Sequence, residues 1–233
     1  NIEDYILLSS VKNNDEIVET ILQHGFVEGK NYFNVREIVK SSNIEYVEST
    51  IEGIDFSYVT QSDRPDLYQN DNYESKPFDH SSIDCVFQEI CRLDDQISLF
   101  DYGCGKGQIL LMAYMNGISV IKGIDVNKEI CEIANRNMEI LEVPCEIVYG
   151  NAMEYTDIDD CNVFFFYNPF GGEVFRRVID NIESSIHRRK RQVFIAYGNP
   201  FNHKEVIKTG IFKLYKQIPV DLYDPIFNIY TNE

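Results

Sequence analysis

From about residue 81 to the end of the chain, two hydrophobic rhythms alternate. Ile83, Val86, Phe87, Ile90 and Leu93 recur at the spacing of a helix buried along one face, and Ser81 or Ser82 stands where it would cap that helix. An apolar run ending at Leu99-Phe100-Asp101-Tyr102 predicts a strand, and Gln108 to Met115, rich in Ile, Leu and Met, predicts a helix stopped by Gly117. Ile118 to Val126 reads as a buried strand. Asn127 then offers a helix start for a face made of Ile130, Ile133, Ala134, Met138 and Leu141. Pro144 precedes a short strand, Glu146 to Tyr149. Cys161 to Tyr167, with Phe164-Phe165-Phe166 at its centre, is unbroken apolar, as a central parallel strand buried on both faces would be. Val174, Val178, Ile179, Ile182 and Ile186 predict another amphipathic helix, Val193 to Tyr197 a strand, and Glu205 to Lys208 a short helix ending near Gly210. Phe212 to Ile218 and Ile226 to Tyr230 leave no room for a helix between them, so they should pair antiparallel.

Repeated strand-helix units predict an α/β fold with a mostly parallel sheet, helices on both faces and an antiparallel C-terminal hairpin. Ligands of such sheets bind at the carboxyl ends of the strands. The first 60 residues follow a different pattern. Tyr5 to Ser9 reads as a strand and Asn14 to Gln23 as a helix ending at Gly25, followed by Phe26 to Val35 and a mixed segment to Tyr58. Thr60 to Lys76, polar and containing Pro65, is a connector. The expected organisation is a small N-terminal accessory α/β segment with its connector over 1–76, and a ligand-binding domain over 77–233.

The chemistry concentrates in Gly103-Cys104-Gly105-Lys106-Gly107. Three glycines let the backbone turn sharply from strand to helix and approach a ligand where a Cβ would intrude, and the following helix presents its free N–H groups there. A dinucleotide fingerprint would require glycine at position 108, where this chain has Gln108. Asp125 ends the next strand, 18 positions after Gly107, where a carboxylate can accept both ribose hydroxyls. Asn168-Pro169-Phe170 after the fourth strand recurs as Asn199-Pro200-Phe201 after the fifth, both at the end where an α/β sheet presents its active face.

A net charge of −17 repels phosphate backbones at long range and favours a cationic cofactor or a basic substrate. Only Arg188-Arg189-Lys190-Arg191 is strongly basic, and its place at the end of a predicted helix fits a dipole-complementing role better than a nucleic-acid patch. The six cysteines show neither a C-x-x-C pair nor metal-ligand spacing, and suit a reducing cytoplasmic setting; no metal site is expected. No apolar run reaches the roughly 18 residues of a membrane span. Cys104 reads as a small packing residue and Lys106 as a solvent-facing or salt-bridged one.

In these residues the chain resembles the class I S-adenosylmethionine-dependent methyltransferases over about residues 80–233. Phe100 to Gly107 is similar to the family's first motif, Gly123-Ile124-Asp125 to its ribose-binding second, Gly150-Asn151-Ala152 to its adenine-facing segment, and Val163 to Phe170 to its fourth. Tyr167-Asn168-Pro169-Phe170-Gly171 looks like the fourth motif of a poorly characterised bacterial group. The resemblance implies a Rossmann-like, seven-stranded sheet with S-adenosylmethionine as cofactor. It implies a cofactor site of Asp101, Tyr102, Gly103, Cys104, Gly105, Gly107, Asp125, Val126, Asn151, Ala152 and Asn168. Asn151 stands where the family usually has aspartate, and its amide oxygen can still accept a hydrogen bond. On the acceptor side the expected residues are Asn168, Pro169, Phe170 and Tyr73. Asn168 Oδ1 and the Pro169 carbonyl would take an amine's hydrogens, and Phe170 would face the developing ammonium. A hydroxyl acceptor would need a base, for which His80, His203 and Tyr73 stand nearest. The acceptor could be a small molecule, a glycan precursor or a protein. An oxidoreductase using NAD, and a non-catalytic adapter retaining the cofactor fold, are the rival readings.

Overall fold

A computed structural model of the chain describes residues 6–8, 19, 23–24, 32–34, 51–57, 80–219 and 226–233. Ile6–Leu8 (β1) and Tyr32–Asn34 (β2) pair in parallel as a small separate sheet. The expected helix at Asn14 to Gln23 and the connector at Thr60 to Lys76 lie largely or wholly outside the described residues.

From His80 onward the order is α1 (His80–Ile90), β3 (Ser98–Tyr102), α2 (Gln108–Met115), β4 (Val120–Asp125), α3 (Lys128–Ile140), β5 (Glu146–Tyr149) and β6 (Val163–Tyr167), continuing with α4 (Gly172–Arg188), β7 (Phe194–Gly198), α5 (His203–Lys208), β8 (Lys213–Pro219) and β9 (Ile226–Thr231). The strands form one seven-stranded sheet in the order β5-β4-β3-β6-β7-β9-β8. All neighbours run parallel except β9, which pairs antiparallel with both β7 and β8.

Strand alternation sorts the core onto the two faces. Leu99, Ile121, Phe165 and Ala196 join Ile83, Val86 and Phe87 of α1 and Leu111 and Met112 of α2 on one side. Phe100, Tyr102, Phe164 and Phe166 meet Phe175, Val178, Ile179 and Ile182 of α4 on the other. Residues 51–57, on the accessory side of the boundary expected at 76, add Ile51, Ile54 and Phe56 to the first of these clusters.

Two ends of elements show how local chemistry sets them. Asn127 Oδ1 accepts from the N–H groups of Glu129 (3.0 Å) and Ile130 (3.4 Å), satisfying two orphan donors of α3. After α2, Gly117 adopts φ +89°, its N–H donates to the Tyr114 carbonyl and that of Ile118 to Ala113, closing a Schellman turn. That turn consumes Ile118, so β4 begins at Val120 rather than at Ile118 as the apolar run predicted.

Arginines of the basic cluster at the end of α4 are committed to the fold. Arg188 grips the Asp159 carboxylate with Nε (3.0 Å) and Nη2 (2.6 Å), holding that carboxyl down to about 2. Arg191 donates to the carbonyls of Cys161 (2.7 Å) and Ile158 (3.1 Å). Both tie the loop that feeds β6 to the end of α4.

Candidate active site

β3 lies at the switch point of the sheet: β4 continues the order on one side and β6 on the other, and sheets of this kind bind ligands beyond the carboxyl ends of such strands. The glycine loop leaves β3 there. The N–H groups of Gly103 and Cys104 both donate to the Ile124 carbonyl (2.9 and 3.0 Å), pinning the loop to β4. Gly103 and Gly107 sit at φ +75° and +93°, in the left-handed region that disfavours a Cβ. Gly107 caps α2 without a side chain, so the helix offers its first N–H groups unclaimed by any side-chain cap. The buried Cys104 packs against Gly123, where a Cβ would lie 2.7 Å from the Cys104 Cβ. Burial pushes this thiol well up, which makes it a packing group rather than a nucleophile.

Two carboxyl groups flank the loop. Asp125 Oδ2 accepts from Gly105 N–H (3.1 Å) and Oδ1 from Asn127 N–H (2.9 Å). Burial raises the Asp125 carboxyl, against the downward pull of the Asn127, Gly105 and Val126 backbone donors. Asp101 is only 2 % exposed and its Oδ2 has no hydrogen-bond partner. Burial raises it well above the usual range, and the neighbouring Asp125 charge raises it further. The one cation in the loop, Lys106, is buried and taken by Asp55 at 2.6 Å, in place of the solvent position that the sequence left open.

Four of the unsatisfied polar side chains share this place. Among the described residues, buried side-chain atoms without a partner are Asp101 Oδ2, the Tyr102 hydroxyl, Gln108 Nε2, Asn127 Nδ2 and Asn168 Oδ1. Asp101 lies at the carboxyl end of β3, Asn127 and Asn168 stand in the turns after β4 and β6, and Gln108 opens α2, whereas the Tyr102 hydroxyl is carried away with its ring. Such an atom costs about 1–3 kcal/mol, which a polar ligand bonded to it would offset.

Across from the glycine loop, Asn168 takes φ +52° and Pro169 packs on Gly103, where a Cβ would come within 2.4 Å of the Pro169 Cβ. The loop after β3 and the turn after β6 are therefore in van der Waals contact. Phe170 does not offer a free face, contrary to the expectation for an ammonium. It is 5 % exposed and packs edge-on against Tyr102 (centroids 6.4 Å) and Phe166 (6.3 Å) because apolar ring area is best buried between its neighbours. Tyr102 likewise turns its ring into this cluster, fully buried and stacked on Phe166, so only its backbone is left for a ligand.

The echoed tripeptide behaves differently. Tyr167 and Gly198 are in register on β6 and β7, so both Asn-Pro-Phe turns begin at the same level. Asn199 takes φ +50°, matching Asn168, and Phe201 N–H returns to the Asn199 carbonyl (2.7 Å) around Pro200. Phe201 is 80 % exposed, and it is the aromatic ring displayed by this pair of turns. The sequence signal was the repeat itself.

Of the other expected residues, Val126 is exposed and Ala152 buried at the ends of β4 and β5. Asn151 Oδ1 accepts from Met153 N–H (3.0 Å), leaving one lone pair for a ligand. His203 Nδ1 lies 2.9 Å from the Tyr230 hydroxyl, which also accepts from Asn228 Nδ2 (2.8 Å), so this ring is engaged with β9. Tyr73 and the side chain of His80 lie outside the described residues. Asn137 and Asp55 escaped the sequence reading.

No protein-family model matches the chain, and no curated protein matches it by sequence. Solved structures do. An Escherichia coli protein, yhhF, described as a methyltransferase, superposes with a TM-score of 0.52 at 14 % identity, over 70 % of this chain and 96 % of its own. A Pyrococcus abyssi tRNA (uracil-54, C5)-methyltransferase in complex with S-adenosyl-L-homocysteine superposes with a TM-score of 0.50 at 16 % identity, over 66 % of this chain and 38 % of its own. The fold is the Rossmann-like methyltransferase fold. The switch point with its glycine loop lies at the carboxyl ends of its central strands.

Proposed function

We propose that this chain is an S-adenosylmethionine-dependent methyltransferase acting on an amine or hydroxyl. The observation that carries the reading is the set of four orphaned polar side chains, Asp101, Gln108, Asn127 and Asn168, at the carboxyl ends of the central strands and the helix starts that follow, with two burial-raised carboxyls and no cation among the described residues to offset them. A ligand with hydroxyl, amino and carboxylate groups and a positive charge fits those donors and acceptors. Bound there, S-adenosylmethionine supplies a methyl group on a sulfonium for in-line transfer to a nucleophile.

The chain's part is holding and orienting. Asp125 accepts the ribose hydroxyls, Asp101 complements positive charge, and the N–H groups of the glycine loop and of the α2 start face the cofactor. Val126, Ala152 and the remaining lone pair of Asn151 serve the adenine. Asn168, held left-handed with its Oδ1 unpartnered, accepts a hydrogen from the acceptor and so aims its lone pair. Pro169 keeps that turn against the cofactor loop, and Phe201 lends an exposed ring on the acceptor side in the role first expected of Phe170. The net charge of −17 favours a small-molecule or protein acceptor over a polyanion. In this reading residues 77–233 form the catalytic domain, 1–76 an accessory portion whose segment 51–57 joins the core of that domain, and the free thiols suit the cytoplasm.

Isothermal titration with S-adenosylmethionine, S-adenosylhomocysteine and NAD tests the cofactor. The first two should bind; binding of NAD alone would overturn the reading. Asp125→Ala should weaken cofactor binding by about 1.5–3 kcal/mol, the scale of charged hydrogen bonds. Unchanged affinity would remove Asp125 from the ribose site. Asn168→Ala should lower kcat far more than cofactor affinity, and equal losses would move Asn168 to the cofactor side. Incorporation of labelled methyl into cell extract by the wild type but not by Asp101→Ala would separate an enzyme from an adapter.

A further inference from the structure

The cofactor loop is gripped by a segment that no motif includes. Between Gly105 and Gly107, Lys106 alone has a side chain by which the loop can be held. That side chain is 6 % exposed, and its Nζ donates to Asp55 Oδ1 (2.6 Å) and Ser57 Oγ (2.9 Å). Asn137 of α3, wholly buried, completes the joint. Its Nδ2 donates to the Lys106 carbonyl (3.0 Å) and to the Asp55 carbonyl (2.7 Å), while its Oδ1 accepts from Asp55 N–H (3.0 Å). Ile54 and Phe56 on either side of Asp55 are buried in the core, so the clamp has a fixed base.

We infer that Asp55, Lys106 and Asn137 are positioning residues: segment 51–57 clamps the glycine loop in the shape that binds the cofactor. The inference rests on the cofactor reading above. Two physical consequences follow from the clamp. The loop, whose glycines would otherwise be free to move, holds Gly105 N–H 3.1 Å from Asp125 Oδ2 and Gly107 N–H 3.0 Å from the Cys104 carbonyl. The Lys106 charge is also neutralised locally by Asp55, so it leaves the negative field of Asp101 and Asp125 for a cationic ligand.

Lys106→Met is the informative variant. It keeps the buried stem and removes the ammonium, and Asp55 stays solvated and served by Ser57 N–H (3.0 Å) and Oγ (2.6 Å). The full chain should melt within a few degrees of wild type, bind S-adenosylmethionine at least tenfold more weakly, and exchange the Gly105 and Gly107 amides at least tenfold faster without ligand. Lys106→Arg should restore most of both. Asp55→Asn combined with Lys106→Met, which leaves no unpaired buried charge, should lose no more affinity than Lys106→Met alone; it takes the place of the single variant should that one fail to fold. Amide exchange at wild-type rates with affinity within twofold of wild type would overturn the clamp. Failure of the wild type to bind S-adenosylmethionine would overturn the cofactor reading instead, and the amide exchange would still decide whether the loop is clamped.

Discussion

Gly103→Ala is expected to destabilise the folded chain by about 2–5 kcal/mol in chemical denaturation, the largest effect of any single methyl addition in the site. Two costs add. At φ +75° an L-residue costs about 1–2 kcal/mol. The new Cβ would also fall 2.4 Å from the Pro169 Cβ, inside any real carbon contact, and a proline ring cannot rotate aside as a flexible side-chain end could. Either the turn after β6 moves or the glycine loop does, so cofactor affinity and acceptor turnover should fall together. Gly117→Ala is the control. It shares a left-handed φ of +89° but has nothing within 4 Å of the new Cβ, so it should cost only about 1–2 kcal/mol and leave binding intact. Equal losses at the two glycines would show that the contact between the loops contributes nothing.

Asp101→Asn is expected to act in opposite directions on stability and on binding. The Asp101 carboxyl is raised in the folded protein, first by burial and then by Asp125, so its contribution to stability is full below the ordinary value of 3.8 and is lost as pH rises through the raised folded value. At neutral pH the ligand-free wild type therefore carries a cost that a neutral amide does not. Removing it should stabilise by about 1–3 kcal/mol, roughly 2–10 °C in Tm for a chain of this length, with the gain vanishing toward pH 4. Binding should move the other way. A cation bound beside Asp101 favours the ionised carboxyl and releases its proton, so wild-type affinity should rise with pH through the raised value. Asp101→Asn should bind S-adenosylmethionine about tenfold or more weakly, with a flatter pH profile. A wild-type profile as flat as the variant's would remove Asp101 from the binding of positive charge.

Much of the scaffold was legible because its causes are local. The periodicity of Ile130, Ala134 and Met138 and the cap at Asn127 place α3, and the short gap between Phe212 to Ile218 and Ile226 to Tyr230 forces an antiparallel pair. The unbroken run around Phe164-Phe165-Phe166 marks β6 as central, and it lies between β3 and β7. The glycine loop and Asp125 came from spacing, and the structure brings them within a hydrogen bond of each other. The turns after β6 and β7 were less legible. Asn168-Pro169-Phe170 and Asn199-Pro200-Phe201 are identical in sequence and nearly so in φ at their first residues, yet one phenylalanine is core and the other stands in solvent. No local signal separates them. Tyr102 and Phe166, brought alongside by strand pairing, supply the rings that bury Phe170.

Lys106 shows the same limit from the other direction. Its partners lie about fifty residues upstream in Asp55 and Ser57, and a sequence in which lysines are ordinarily solvated gives no reason to pair them. What the sequence determined by itself is the order and type of the elements and the places where the backbone must turn tightly, since hydrophobic period, caps and glycines act over a few neighbouring residues. What only the tertiary structure decided is which polar atoms are left without partners, which ring is covered and what grips the loop. Those depend on contacts between residues far apart in the chain, and burial, which sets their energies, exists only once the chain has folded.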